Sequence, residues 1–482
     1  MRVTLDFEDD ATRSTNRRQP PMSQIAIPFD ADLIRRYDTS GPRYTSYPTA
    51  VQFHDGFTAD DYREAAARSN ATGGPLSLYV HIPFCDTVCY YCACNKVVTK
   101  DRAKARPYLD DVYREMALQA ALFDDGRPVD QLHWGGGTPT FLSHDEMREL
   151  MAKTGEHFAL KTDDTGEYSI EIDPREADAA TIRLLREIGF NRISLGVQDF
   201  DPDVQKAVNR VQSFEETREV VDTAREQNFH GVSIDLIYGL PFQTRERFMQ
   251  TLDRVIELDP DRLSIFNYAH LPQRFKPQRR IAGDDLPSPA EKLDILGSTI
   301  GYLQQAGYVL IGMDHFAKPD DPLAIAQREG TLQRNFQGYS THAECDMVAM
   351  GASSISQVGG AFSQNVKELD RYHEAVTAGR LPIEKGVVIT EEDVLRRHVI
   401  TELICHFRLS IREVEQRFDI DFASHFADAL SELADMAADE LITITPDSIE
   451  VQPRGRLLIR NVCMAFDEYH GTHNGQRFSK VI

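Results

Sequence analysis

The chain is short of several things, and each shortage narrows the reading. No apolar run approaches the roughly 20 residues that would cross a bilayer, so no membrane span is expected. The first residues mix Asp, Glu and Arg and contain no apolar core of a secretory leader, so a cytoplasmic location is expected. Basic residues are outnumbered, 53 Lys and Arg against 76 Asp and Glu, for a net charge of -23. That balance disfavours nonspecific nucleic-acid binding, which needs a basic surface, but it permits a local basic pocket for an anionic substrate. Internal repeats and low-complexity tracts are missing. Cysteines number only seven, and in a cytoplasmic chain their spacing argues for a metal centre rather than disulfides.

Four of those seven fall within ten residues. Cys85, Cys89 and Cys92 stand at spacings of four and three, and Cys94 follows. They come directly after Leu76–Phe84, an apolar strand pattern interrupted by Pro83, and so lie on a loop leaving a strand end. Three thiolates cannot complete the four-ligand shell of a structural zinc. They suit three corners of a 4Fe-4S cluster and leave the fourth iron open to chelate a small molecule.

With 482 residues, two or three domains are expected. Residues 1–21 are polar and charged and end in Arg17-Arg18-Gln19-Pro20-Pro21, so they read as disordered or as an upstream start-site artefact with translation beginning at Met22. Residues 22–75 read as a lid segment. Within it Gly41-Pro42-Arg43-Tyr44-Thr45-Ser46-Tyr47-Pro48-Thr49 is extended, because its prolines disfavour helix; it reads as a linker lying on the core or as a lid that brings Arg43 and tyrosines to a pocket. From residue 76 strands and helices alternate. Predicted strands are 76–84, 131–134, 168–172, 192–197, 232–238, 262–268 and 308–311, with helices at 108–122, 144–157, 180–188, 214–227, 245–258 and 290–306. This order predicts an α/β fold with a parallel sheet and right-handed crossovers, its chemistry at the C-terminal strand ends. After residue 363 helices dominate. Leu395, Val399, Leu403 and Phe407 form one apolar stripe, and 422–438 reads as a second helix. A hairpin around Pro446-Asp447-Ser448 and a helix at 455–466 complete a winged-helix-like module. It lacks a basic cluster, so it reads as a cover over the C-terminal strand ends rather than a DNA reader.

The strand ends are polar or glycine-rich. They include Gly135-Gly136-Gly137-Thr138-Pro139, Glu171-Ile172-Asp173-Pro174, Gly196-Val197-Gln198-Asp199 followed by Arg210, and Ile234-Asp235-Leu236. Consecutive glycines let the backbone approach a ligand. Asp235 amid apolar neighbours needs a partner. Neither Asp235 nor Arg210 has another evident role.

Cys85-x3-Cys89-x2-Cys92 after a strand resembles the signature of radical S-adenosylmethionine (SAM) enzymes. Tyr79-Val80-His81-Ile82-Pro83-Phe84 before it, Cys92-Ala93-Cys94-Asn95-Lys96 after it, the 41–49 stretch, Gly312–Ala317 and Arg334–Tyr339 resemble the oxygen-independent coproporphyrinogen III oxidases. The resemblance covers residues 22–482. It implies a partial TIM-like barrel of six βα units, here residues 76–362, with a C-terminal domain at 363–482. It also implies a 4Fe-4S cluster on Cys85, Cys89 and Cys92, with Cys94 outside it. A first SAM would lie at Tyr79, Gly136, Glu171 and Ile355, and a second at Tyr91, Gly137, Thr138, Gln198, Arg210, Asp235 and Ala269. The implied reaction is anaerobic conversion of coproporphyrinogen III to protoporphyrinogen IX in haem biosynthesis. A 5'-deoxyadenosyl radical takes hydrogen from two propionates, and CO2, methionine and 5'-deoxyadenosine are released. Electrons would come from a reductant such as flavodoxin or ferredoxin, and a monomer is expected. The alternatives are the haem-chaperone branch, a radical methyltransferase that opens haem, or a non-catalytic iron–sulfur or haem carrier. The chaperone chains are generally shorter and lack both the 42–49 signature and a cysteine at position 94.

Overall fold

The computed structural model describes residues 26–342 and 345–470. The expectations for residues 1–21 and for a start at Met22 lie outside them. Six strands follow the predicted order: β1 (Leu76–Ile82), β2 (Pro128–Gly136), β3 (Glu167–Ile172), β4 (Arg192–Gln198), β5 (Gly231–Tyr238) and β6 (Arg262–Asn267). Each pairs in parallel with the next. The helices between them start where the sequence supplies a cap. Ser143 with Glu146, Ser213 with Glu216 and Ser288 with Glu291 form capping boxes, in which the hydroxyl and the carboxylate satisfy each other's otherwise unpaired backbone N–H groups.

Burial alternates along β3, β4 and β5. One face carries Ile170, Ile172, Ile193, Leu195, Val232 and Ile234, all buried among the surrounding helices. The other carries Glu167, Ser169, Glu171, Arg192, Ser194, Ser233 and Asp235, which line a cavity. The side-chain period of two therefore separates an apolar outer layer from a polar lumen. Trp134, Phe190 and Phe248 fill the outer layer.

Beyond the sixth unit the sheet departs from the reading. The predicted strand at 308–311 is present as β7 (Val309–Gly312), but β8 (His315–Ala317) lies antiparallel between it and β6. On the other side, β9 (Asp346–Met350) pairs in parallel with β1, and antiparallel β10 (Ile355–Val358), β11 (Ala361–Asn365) and β12 (Ile383–Val388) extend the sheet. The order is β7-β8-β6-β5-β4-β3-β2-β1-β9-β10-β11-β12. Among the described residues no pairing joins the two ends, so the sheet forms a partial barrel. The boundary expected at 363 falls inside β11, and the sheet runs on to Val388.

The C-terminal part has its own core, in which Leu395, Val399, Leu403, Phe422 and Phe466 are buried. A helix, Glu391–His406, is followed by a three-stranded sheet of 408–410, 442–444 and 448–451. The predicted helix at 422–438 is three short ones, 422–425, 427–432 and 434–438. They break at Phe426 and Leu433, which turn into the core. The helix expected at 455–466 is a 3-10 turn, Pro453–Leu458, leading into Ile459–Met464.

The lid tyrosines also belong to this core, not to a pocket mouth. Tyr44 donates to Asp467 at 2.9 Å, and the Tyr47 hydroxyl accepts from the Glu468 N–H at 3.1 Å. Arg43, paired with Asp314 at 2.5 Å, lines a separate cavity together with Ile34, Arg35 and Asp38. Tyr339 donates to the Ile404 carbonyl at 3.3 Å, so helix 391–406 backs the 333–340 hairpin. That hairpin walls the main cavity with Asn335, Phe336 and Gln337.

Candidate active site

The cysteine loop leaves the C-terminal end of β1. Phe84–Cys85 pairs with Val97–Val98, pinching the base of the loop. The loop closes one side of a cavity of about 230 Å³. Cys85, Cys89 and Cys92 line it, together with Tyr91, Gly136, Gly137, Thr138, Glu171, Gln198, Arg210 and Asp235. The structure thus gathers most of the predicted residues from the ends of five strands. Tyr79 and Ile355 line an adjoining cavity of about 530 Å³, which shares Cys94, Gly136, Glu171, Ser194 and Asp235 with the first. Ala269 does not join them. It faces a third cavity, of about 460 Å³, along with Tyr268 and Arg43.

The three sulfurs do not gather within the 4.8 Å that one ion would require; among the described residues only Asp130, His342 and Cys345 do. Their surroundings suit an anionic cluster bound through one thiolate per iron. Thr138 donates to the Cys85 sulfur at 3.7 Å, and Arg210 and Arg175 donate to the Cys89 sulfur at 3.5 and 3.6 Å. Burial pushes the Cys85 thiol up to about 11. Cys92 moves the other way, to about 5, because it accepts a hydrogen bond from Cys94 and lies near Lys96. Cys94 itself is exposed. Its thiol serves Cys92 as a donor and is held well above the ordinary range by doing so.

The glycines are there because nothing larger fits. Gly136 has φ +119°, and a Cβ there would lie 2.6 Å from the His81 ring. At Gly137 it would lie 2.6 Å from the Phe84 carbonyl oxygen. This lets the backbone run close beside the cavity, with the Gly137 and Thr138 N–H groups tied to the Ile82 and Phe84 carbonyls at 2.8 Å. The Gly136 N–H donates to Glu171 at 3.0 Å, and His133 approaches the same carboxylate at 3.4 Å. Burial opposes the charge on Glu171, but these partners outweigh it and hold its pKa below the usual range. Two residues on, Asp173 caps the turn at 174–176 by accepting from the Arg175 N–H at 3.1 Å.

Two expectations need correction. Arg210 and Asp235 both have protein partners. Arg210 pairs with Asp173 at 2.8 Å and donates to the Gly196 carbonyl, leaving its Nε buried without a partner. Asp235 accepts from Ser194 at 3.2 Å and from Ser264, while burial pushes its pKa up to about 6. Each is a prepositioned group rather than an unmatched one.

Sequence reasoning missed His133, Arg175 and Ser194. His133 stacks on Tyr79 with ring centroids 5.8 Å apart, and the Tyr79 hydroxyl meets His81 Nδ1 at 3.1 Å. The signal was available: His133 and Ser194 each stand two residues from a lumen position on their own strands.

Comparison with known proteins agrees with this geometry. Residues 79–255 match the radical SAM superfamily, and residues 389–458 match the HemN C-terminal domain. The oxygen-independent coproporphyrinogen III oxidase of Pseudomonas aeruginosa is 56% identical over 456 residues, 95% of this chain and 99% of that one. The Escherichia coli protein of the same name is 51% identical over 462 residues, 96% and 100% of the two chains. A solved structure described as coproporphyrinogen III oxidase (HemN) from Escherichia coli, a radical SAM enzyme, superposes with a TM-score of 0.88 at 50% identity. It covers 92% of this chain and 100% of its own. The chain belongs to the oxygen-independent coproporphyrinogen III oxidases, a family of radical SAM enzymes.

Proposed function

We propose that this chain converts coproporphyrinogen III to protoporphyrinogen IX without oxygen, using a 4Fe-4S cluster and two molecules of SAM. The observation that carries the reading is the continuity of the two cavities: the cysteine loop opens onto a pocket that shares Glu171, Ser194 and Asp235 with a lumen large enough for a substrate of porphyrinogen class.

In this reading Cys85, Cys89 and Cys92 hold the cluster, and the hydroxyl of Thr138 and the guanidinium groups of Arg175 and Arg210 offset its negative charge. Glu171, kept ionised by His133 and Gly136, accepts from an ammonium group. Asp235 accepts from ribose hydroxyls, and the buried Nε of Arg210 donates to a carboxylate. When bound, the reduced cluster and SAM supply a carbon radical, which can take the unactivated β-hydrogen of a propionate that no general base can remove. The chain holds that hydrogen within reach in the lumen, which the 333–340 hairpin, backed by helix 391–406, walls on one side. The electron donor, of flavodoxin or ferredoxin type, and a monomeric state are part of the same proposal.

Anaerobic incubation of the cluster-loaded protein with coproporphyrinogen III, SAM and a reducing system tests it. With an electron acceptor present to take the electron that each propionate radical gives up with its CO2, protoporphyrinogen IX should form with two CO2 released. Haem binding with no protoporphyrinogen would instead favour a carrier.

A further inference from the structure

The base of the barrel, at the opposite end of the strands from the cysteine loop, carries a second group of metal-binding side chains. Asp130 lies near the start of β2, and His342 and Cys345 lie on the segment that feeds β9. One ligand atom from each falls within 4.8 Å of the others, and all three side chains are half-buried. Six residues of β2 separate Asp130 from Gly136 at the cluster cavity, about 20 Å at roughly 3.3 Å per strand residue.

We propose that Asp130, His342 and Cys345 form a zinc site whose fourth position is held by water. Thiolate, imidazole and carboxylate are the three ligand types that zinc takes in proteins, at about 2.0–2.3 Å. At those bond lengths tetrahedral ligands stand about 3.3–3.8 Å apart, so closure by about 1 Å completes the shell. The mixed set excludes calcium and magnesium, which take oxygen ligands.

Neighbouring groups are arranged to hold the ligands. The His342 N–H donates to the Ser340 hydroxyl at 3.1 Å, and that hydroxyl meets Gln131, the residue after Asp130, at 3.4 Å. Lys161 lies 2.7 Å from one oxygen of Asp130. A carboxylate has a second oxygen, so Lys161 can orient Asp130 while that oxygen binds metal, the outer support that metal ligands commonly have. Zinc with one thiolate, one carboxylate and a neutral imidazole is neutral overall, so the lysine need not be displaced. Glu167 also faces His342 but is engaged by Arg192 at 3.0 Å and by Gln131 at 3.0 Å. The site would fasten the segment entering β9, the strand beside β1, to the foot of β2.

Metal analysis of the anaerobically purified, cluster-loaded protein tests the proposal, because the readout is zinc and not turnover. The wild type should hold about one zinc per chain in addition to the cluster iron. Cys345→Ser and His342→Ala should bind zinc at least about tenfold more weakly with iron unchanged. The triple variant Cys85→Ser/Cys89→Ser/Cys92→Ser should lose iron and keep zinc. Cobalt added to zinc-stripped wild type should give a thiolate charge-transfer band that is absent in Cys345→Ser. This measurement stands on wild type even if a variant misfolds. Zinc in wild type no higher than in His342→Ala, or no thiolate band with cobalt, overturns the assignment.

Discussion

The guanidinium of Arg210 lies 3.5 Å from the sulfur of Cys89 and 2.8 Å from the carboxylate of Asp173. One side chain therefore touches the cluster loop, an anchoring carboxylate and the cavity. Burial disfavours its charge, but Tyr91, Asp173 and Cys89 outweigh that and raise its pKa further. Removing it should cost stability at the lower end of the roughly 3–5 kcal/mol seen when a buried pair is broken, because Arg175 still holds Asp173 at 2.7 Å. Arg210→Ala should retain its iron and lose about a hundredfold or more in porphyrinogen turnover. Arg210→Lys should not restore it, since a lysine offers no fork. Turnover within twofold of wild type would remove Arg210 from the site.

The four neighbouring cysteines should separate cleanly. Cys89→Ser should lose the brown chromophore, its iron and all SAM cleavage. Cys94→Ser should keep its iron, because in the proposed ligand set its thiol supports Cys92 as a donor and is not itself a ligand. A full iron complement in Cys89→Ser, or a loss of iron in Cys94→Ser, would exchange the ligand assignment.

Substitution at the glycine turn should divide by what the new methyl group meets. In Gly137→Ala it meets the Phe84 carbonyl, part of the backbone before Cys85, so folding or cluster loading should fail. In Gly136→Ala it meets the His81 ring, which has some freedom to move, at a φ that costs about 1–3 kcal/mol for a non-glycine residue. That variant should fold and hold iron but bind SAM weakly in equilibrium dialysis. Normal SAM affinity in Gly136→Ala would show that the turn is not a ligand cradle.

A buried glutamate should give the chain a pH-dependent stability. Glu115 is fully buried and accepts from Gly351 N–H, Asn365 and Tyr372 at 2.7, 2.7 and 2.5 Å. Burial nevertheless pushes its pKa up to about 7. Its folded form holds the proton more tightly than the unfolded chain, where the group titrates near 4.5. Its contribution is therefore most favourable below about pH 4.5, declines as pH rises to about 7 and is constant above. The change amounts to a few kcal/mol at most. Denaturant unfolding of wild type and Glu115→Gln across that range should show the stability gap between them shrinking as pH rises. A constant gap would contradict this.

Much of this was legible in the chain. The six strands and their helices could be read because caps such as Ser143-x-x-Glu146 mark the helix starts. The cluster loop could be read because cysteine spacing is local. What escaped was non-local. β9 follows the 333–340 hairpin rather than a crossover helix, so nothing in its short run identifies it as a parallel neighbour of β1. The partners of Arg210 and Asp235 come from other strands, and no spacing along the chain announces them. The lid tyrosines read as pocket residues because their sequence is extended, yet the C-terminal core buries them. The polar lumen was masked by the apolar face that alternates with it.

The pairing of β1 with β9 also bears on how the protein is made. Leu76, at the start of the strand that carries the cysteine loop, finds its partner Asp346 some 270 residues later. Contacts that distant form late, because the intervening chain must first be brought together. A chain leaving the ribosome therefore displays its cysteines long before the strand beneath them has both neighbours. The seat for the iron is finished only once nearly three quarters of the protein has emerged, which makes cluster insertion a late step in its assembly.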